Sequence, residues 1–406
     1  MELDKIGARQ VIESVERGNP PEYGFQYFTT GLDVYLDLIK EEYLENFIRE
    51  GGSTFKMVVG HYGEGKTHFL YSIRELAWEY NYLVSYIALN VEHTPFHKLE
   101  LVYQEIVKNL ILPTVEDKTF RGFEKGIDVI IKKWYIDKYA VFSKSLSDKE
   151  EILEELKVYL EGLNPYESKS FRNAIKNAFL SLAQEKEEDF DLLVQWLEAE
   201  NPPKSMLKNF KVFEKIDKST AFRMIRSLTQ WIRDIGYSGI VVLMDEAEST
   251  PSISSKQKSV LLNNLRSLID ECSQTNFRNS MWIYAVPDEN FLEGRSQIYE
   301  ALRQRLDTKF DEEINPTGVK IYLERLSMEP LSFLREVGKK LSEIYQIAYD
   351  INFDEQALSL TIDNIAKIST ESKFSKGYKR IFVQNIIKAF HKLRKTGEPV
   401  KAEDFA

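Results

Sequence analysis

The sequence predicts an α/β fold: a parallel sheet with helices on both faces, interrupted by a large helical insertion and followed by a C-terminal helical lid. Three observations predict it. Short apolar, β-branched runs at residues 55–60, 83–90, 239–245, 281–286 and 318–323 alternate with stretches of helical periodicity, the order that gives parallel strands packed between helices. A glycine-rich loop joins the first of these runs directly to a helix. The stretch between the second and third runs, from about Pro113 to Thr220, is too long to be a structureless connection in a compact domain and must fold by itself.

The first strand, read over Phe55, Lys56, Met57, Val58 and Val59, leads into Gly60, His61, Tyr62, Gly63, Glu64, Gly65, Lys66 and Thr67, and the helix opens with His68, Phe69 and Leu70. The spacing G-x-x-x-x-G-K-T is that of a P-loop. Glycines let the backbone turn its N–H groups around phosphates, the lysine reaches the β and γ oxygens, and the hydroxyl ligates Mg²⁺. Chance glycine motifs occur, but this one has a strand before it and a helix after it, the context the mechanism requires.

The insertion carries helical periodicity with frequent charge. Residues 148–160 repeat apolar positions at helical spacing, and Leu192, Leu193, Val194, Trp196 and Leu197 form one stripe before Asn201-Pro202-Pro203 ends the element. Its aromatics at this spacing are expected to serve as the insertion's own core, with a partner surface as the alternative.

The third strand, Gly239 to Met244, is an apolar run ending in Asp245 and Glu246, with Glu248 two residues further. Adjacent acids at a strand's C-terminal edge suit two roles, Asp245 holding Mg²⁺ and Glu246 polarising an attacking water, while Glu248 is a weaker substitute for either. A core strand ending in solvated acids is the plain alternative, and the P-loop upstream argues against it.

The fourth strand, Met281 to Val286, is followed by Pro287 and Asp288. Beyond it, Ala301-Leu302-Arg303-Gln304-Arg305-Leu306 places two arginines on one helix, either as ordinary surface cations or as groups that neutralise charge on a transferred phosphoryl. Pro330 begins an all-helical region. The division expected from these elements is residues 1–113 for the N-terminal segment and the first part of the core, 114–218 for the insertion, 219–325 for the rest of the core and 326–406 for the lid.

Composition narrows the classes. The 406 residues with 43% hydrophobic content bury a substantial core, and a net charge of −10 gives no whole-protein attraction to DNA or anionic membrane. One local exception runs from Lys373 to Lys401, nine Lys/Arg against Glu398. Such a run is either a solvated helix face or a patch for nucleic-acid phosphates. A single cysteine, Cys272, leaves no intramolecular disulfide and suits a reducing cytoplasm. The five histidines, His61, His68, His93, His97 and His391, show no metal-ligand spacing, since Pro95 separates His93 from His97. No signal-like N-terminus and no apolar run of membrane-spanning length is present, so the expected location is the cytoplasm.

The distance from Lys66 to Asp245 and the presence of a lid make the chain similar to AAA+ ATPases. That resemblance implies a sensor-1 position at Asp288, an arginine finger at Arg305 or Arg303, and a sensor-2 arginine at Arg380 within Gly377-Tyr378-Lys379-Arg380. A solvated basic helix end is the alternative for Arg380. More specifically, the stretch from Ala8 to Pro21, the loop from Val59 to His68, and Gly236-Tyr237-Ser238-Gly239 resemble the BREX ATP-binding family of bacterial phage-defence islands, of BrxC/BrxD type and closest to BrxD, related to Orc/Cdc6-like proteins. The resemblance implies ATP and Mg²⁺ as cofactors, with Gly60, His61, Tyr62, Gly63, Glu64, Gly65, Lys66, Thr67, His68 and Arg380 on the nucleotide. It further implies a homo-oligomer and defence-system partners such as a helicase. Two functions stay open: an ATPase that loads or regulates DNA-acting components, or a STAND-like, nucleotide-gated scaffold that turns over slowly and recruits a helicase, nuclease or methyltransferase through residues 114–218.

Overall fold

The computed structural model describes residues 3–89, 95–113, 123–245, 254–288, 292, 297–308, 315, 317–324, 328–371, 377–401 and 403. The chain opens with α1 (Lys5–Glu16), capped by Asp4, and α2 (Asp33–Leu38), which widens into a π-type stretch over Ile39–Phe47. Next come β1 (Ser53–Val59), α3 (Lys66–Glu79), β2 (Tyr82–Ala88), α4 (Leu99–Lys108) and the two-residue β3 (Leu110–Ile111). The insertion supplies α5 (Ile127–Phe142), α6 (Lys149–Glu161), α7 (Lys169–Ala183), α8 (Glu187–Leu197) and the short α9 (Lys204–Leu207). The core resumes with α10 (Ala221–Asp234), β4 (Gly239–Asp245), α11 (Ser255–Ser273), β5 (Ser280–Val286), α12 (Gln297–Leu306) and β6 (Lys320–Tyr322). Three long helices close the chain: α13 (Pro330–Tyr349), α14 (Glu355–Glu371) and α15 (Tyr378–Thr396).

The six strands form one sheet in the order β3-β2-β4-β5-β1-β6. Five of them are parallel, as expected. The sixth, β3, pairs antiparallel with β2 and was not legible in the sequence, because two residues at the end of an amphipathic helix carry no strand signature of their own. Strand β1 lies between β5 and β6, and β5 separates it from β4.

Alternation along the strands divides the core in two. Met57, Val59, Ile240, Val242, Met244, Trp282 and Tyr284 face one apolar cluster, which continues without a break into Ile130, Trp134, Phe179 and Trp196 of the insertion. Val58, Val84, Val241, Leu243, Met281 and Ile283 face the other, with Phe69, Leu70 and Ile73 of α3 packed against them. Two of the insertion's large aromatics, Trp134 and Trp196, are buried in this cluster at 3% and 1% exposure. A third cluster joins Ala8, Val11 and Ile12 of α1 to Leu334, Leu341, Phe382, Ile386 and Phe390 of α13 and α15. The N-terminal helix thus packs with the C-terminal helices, although the two are at opposite ends of the sequence.

Candidate functional site

The loop after β1 has a backbone only glycine accepts easily. Gly63 has φ +85° and Gly65 has φ +96°, the latter as the left-handed residue that starts α3. At Gly65 nothing lies within 4 Å of where a Cβ would stand, so the requirement there is purely conformational. At Gly63 a Cβ would also come within 3.0 Å of Gly377 Cα.

Lys66, the first residue of α3, is 6% exposed. Its ammonium donates to the carbonyls of Gly60 at 2.9 Å and His61 at 3.4 Å, curling the side chain over the loop. No side-chain hydrogen bond caps the N-terminus of α3, the positive end of the helix dipole.

The next residue reaches another strand. Thr67 Oγ1 donates to Asp245 Oδ2 at 2.6 Å, and Tyr86 of β2 donates its hydroxyl to the same oxygen at 2.6 Å. Asp245 is 2% exposed at the end of β4. Glu246 and Glu248 lie outside the described residues.

The start of α15 covers this loop. Lys379, 8% exposed, places Nζ 2.9 Å from Glu64 Oε2 and donates to Leu323 O at 3.1 Å. The contact to Glu64 is ionic in character, with no aligned hydrogen bond to that carboxylate oxygen among the described residues. Arg380 lies 4.6 Å over the Tyr62 ring and bonds the Tyr62 hydroxyl. A cavity of about 520 Å³ opens between these groups. The loop residues 62–68, Asp245, Lys379 and Arg380 line its polar part, while Val15, Phe28, Leu32, Phe333, Val337 and Phe382 line its apolar part.

The N-terminal segment forms one wall of that cavity and is held from two sides. Lys340 of α13 donates to Thr29 O at 2.7 Å and Thr30 Oγ1 at 3.1 Å. His68 lies 2.7 Å from Thr29 Oγ1, between the Phe25 and Phe28 rings, and burial pushes its pKa down to about 4, so it stays neutral. Its imidazole is engaged by the N-terminal segment even though the residue lines the cavity. His61 points away, 3.4 Å from Glu324.

The remaining candidates stand apart from the cavity lining. Asp288 lies two residues past the end of β5. Arg305 makes a bidentate pair with Asp270 of α11, one arm at 3.2 Å, and bonds Ala301 O, whereas Arg303 is exposed beside Glu300 at 3.9 Å. On α15, Lys388, Lys392 and Lys395 are exposed at helical spacing on one face, while Arg394 stacks 4.1 Å over Tyr349. Lys373 and Lys376 lie outside the described residues, as does His93. Among the described residues no group of three His, Cys, Asp or Glu would hold a metal, and no helix is long and apolar enough to cross a membrane.

These donors fit a Mg²⁺-bound triphosphate. A buried ammonium and a helix N-terminus without a side-chain cap match phosphate oxygens, and a hydroxyl beside a carboxylate is the hard oxygen pair Mg²⁺ takes. Sequence reasoning missed Lys379 and Tyr86. Lys379 had a faint signal, lying next to Arg380 at a helix start, but Tyr86 read only as one more strand aromatic. A family model described as BREX system ATP-binding protein BrxC/D matches residues 4–404. No curated protein and no solved structure matches the chain.

Proposed function

The chain belongs to the BREX system ATP-binding protein BrxC/D family, and from that premise we propose that it is a Mg²⁺-dependent AAA+ ATPase of antiphage defence that loads or regulates DNA-acting partners. Within the family we assign it to the BrxD kind, with Orc/Cdc6-like proteins as wider relatives. The observation that carries the enzymatic reading is the 2.6 Å bond from Thr67 to Asp245, because it brings a P-loop hydroxyl and a strand-end carboxylate 178 residues apart to one point.

When bound, Mg²⁺-ATP supplies a phosphoryl group whose transfer to water depends on positioning and charge stabilisation. In this reading Lys66 and the N–H groups of residues 62–67 grip the phosphates, and Thr67 and Asp245 hold the cation. Glu246 accepts the proton of the attacking water, and Asp288 orients it. Arg380 reaches the nucleotide from α15, and Arg305 or Arg303 serves a neighbouring subunit in a homo-oligomer. The apolar recess of Phe28, Phe333 and Phe382 takes the base. Turnover by the wild type that is lost in Glu246→Gln while ATP binding persists tests this reading; a wild type that neither binds nor hydrolyses ATP overturns it. Measuring mass in each nucleotide state tests the oligomer, and adding duplex DNA tests the loader role through Lys388, Lys392 and Lys395.

A second reading, the nucleotide-gated scaffold, is favoured by one observation. The insertion leaves the large apolar side chains Ile136, Val158 and Phe213 at 58%, 67% and 64% exposure. Tight ATP retention with little turnover, and binding of a helicase partner that survives Glu246→Gln but fails without residues 114–218, would move the assignment to the scaffold. The buried Cys272 suits a cytoplasmic setting for either.

A further inference from the structure

We propose that Tyr86 is a positioning residue for the cation site, fixing the Asp245 carboxylate in the orientation in which it meets Thr67. The proposal rests on the reading of Thr67 and Asp245 as the Mg²⁺-binding pair. Strands β2 and β4 run parallel with Ala88 opposite Asp245 and Tyr86 opposite Leu243. Alternation puts Tyr86 and Ala88 on the same face as Asp245. Because Ala88 carries only a methyl, the tyrosine two residues earlier is the side chain of β2 long enough to reach the acid, and its hydroxyl donates to Oδ2 at 2.6 Å.

The oxygen chosen is informative. Oδ2 also accepts the Thr67 hydroxyl at 2.6 Å, so a donor from the sheet and a donor from α3 converge on one carboxylate oxygen and leave the group little freedom to rotate. Tyr86 is itself held. Its ring lies 5.3 Å from that of Tyr71, and the Arg74 guanidinium stacks 4.6 Å over Tyr71 while donating to Glu22 O at 2.7 Å. Arg74 is 2% exposed and Tyr71 is 7% exposed. The carboxylate is thus oriented through a buried layer that runs from the sheet to the N-terminal segment. Groups that orient a metal's carboxylate ligand control cation affinity without touching the cation.

The alternative is a strand tyrosine that has found the nearest acceptor for its hydroxyl. The two differ in what Tyr86→Phe changes. Melting of wild type, Tyr86→Phe, Asp245→Asn and the double variant would be followed at fixed ATP as Mg²⁺ is raised, with calorimetry of ATP binding in EDTA alongside. We expect Tyr86→Phe to raise the Mg²⁺ midpoint roughly 10–100-fold, with ATP affinity in EDTA changed by less than about twofold, the size typical of lost outer-sphere support for a ligand. In the Asp245→Asn background the same substitution should add almost nothing. A midpoint shared with wild type, equal loss of ATP affinity in EDTA, or full additivity with Asp245→Asn overturns the proposal while leaving the nucleotide reading intact. A wild type whose ATP-bound melting ignores Mg²⁺ overturns both.

Discussion

Lys379 Nζ lies 2.9 Å from Glu64 Oε2, joining the first turn of α15 to the glutamate of the loop after β1, 315 residues earlier. Both residues are buried, Lys379 at 8% and Glu64 at 7% exposure. Lys379 also lies over the Phe333 ring at 5.4 Å, so the ammonium is enclosed by α13, the loop and β6's outgoing carbonyl at Leu323. A pair this enclosed gains little over an apolar substitute, but breaking it leaves one charge stranded.

Lys379→Met should therefore destabilise the protein by about 3–5 kcal/mol, and Lys379→Met with Glu64→Gln should recover most of that loss. Urea unfolding of the two variants checks this. Equal destabilisation in both would mean that the pair's charge complementarity is irrelevant.

Gly63→Ala forces a Cβ to within 3.0 Å of Gly377 Cα and 3.1 Å of Arg380 Cβ at φ +85°. It should cost about 1–3 kcal/mol from backbone strain alone and push α15 off the loop, weakening ATP binding more than Gly65→Ala, which meets open space. Calorimetric ATP titration of both variants makes the comparison.

Lys56 sits inside β1 at 1% exposure, donating to Tyr43 Oη at 2.6 Å, Thr317 O at 2.9 Å and Gly318 O at 2.8 Å. Burial lowers its pKa to about 7. Between that pH and the ordinary lysine range the unfolded chain binds the proton that the folded protein has lost, so stability rises with pH. The stability of wild type minus that of Lys56→Met should climb by up to about 1.4 kcal/mol per pH unit above pH 7 and be flat below it. Denaturation at a series of pH values measures the slope.

Trp196 is 1% exposed, donates Nε1–H to Glu214 O at 3.0 Å and belongs to the cluster that unites the insertion with the sheet. Trp196→Ala should cost about 3–5 kcal/mol. Because the apolar cluster is continuous, the insertion and core should lose structure in one transition by circular dichroism.

If the α15 face contacts duplex phosphates, reversing Lys388, Lys392 and Lys395 to Glu should flatten the slope of log K against log salt by about 2.7. Glu16 of α1 sits beside this region, 3.7 Å from His391 of α15, so its charge should limit binding at physiological salt.

The sequence by itself determined the strand carrying the loop, the glycines that loop needs, Lys66, Thr67 and Asp245, and the helical character of both the insertion and the C-terminal region. These features are local. A glycine's left-handed backbone, a strand's apolar run and a helix's period are written in neighbouring residues. What only the tertiary structure decided depends on register and on contacts between distant segments. Tyr86 reaches Asp245 because Ala88 pairs with that acid in the sheet. Lys379, rather than Arg380, enters the ion pair with Glu64 because the approach of Gly377 to Gly63 aims that side of α15 at the loop. Arg305 turns to Asp270 because α11 packs on α12. α1 joins α13 and α15 through a shared apolar cluster that no window of sequence contains. Burial and pairing set these choices once the chain has closed on itself, and composition and periodicity carry no record of them.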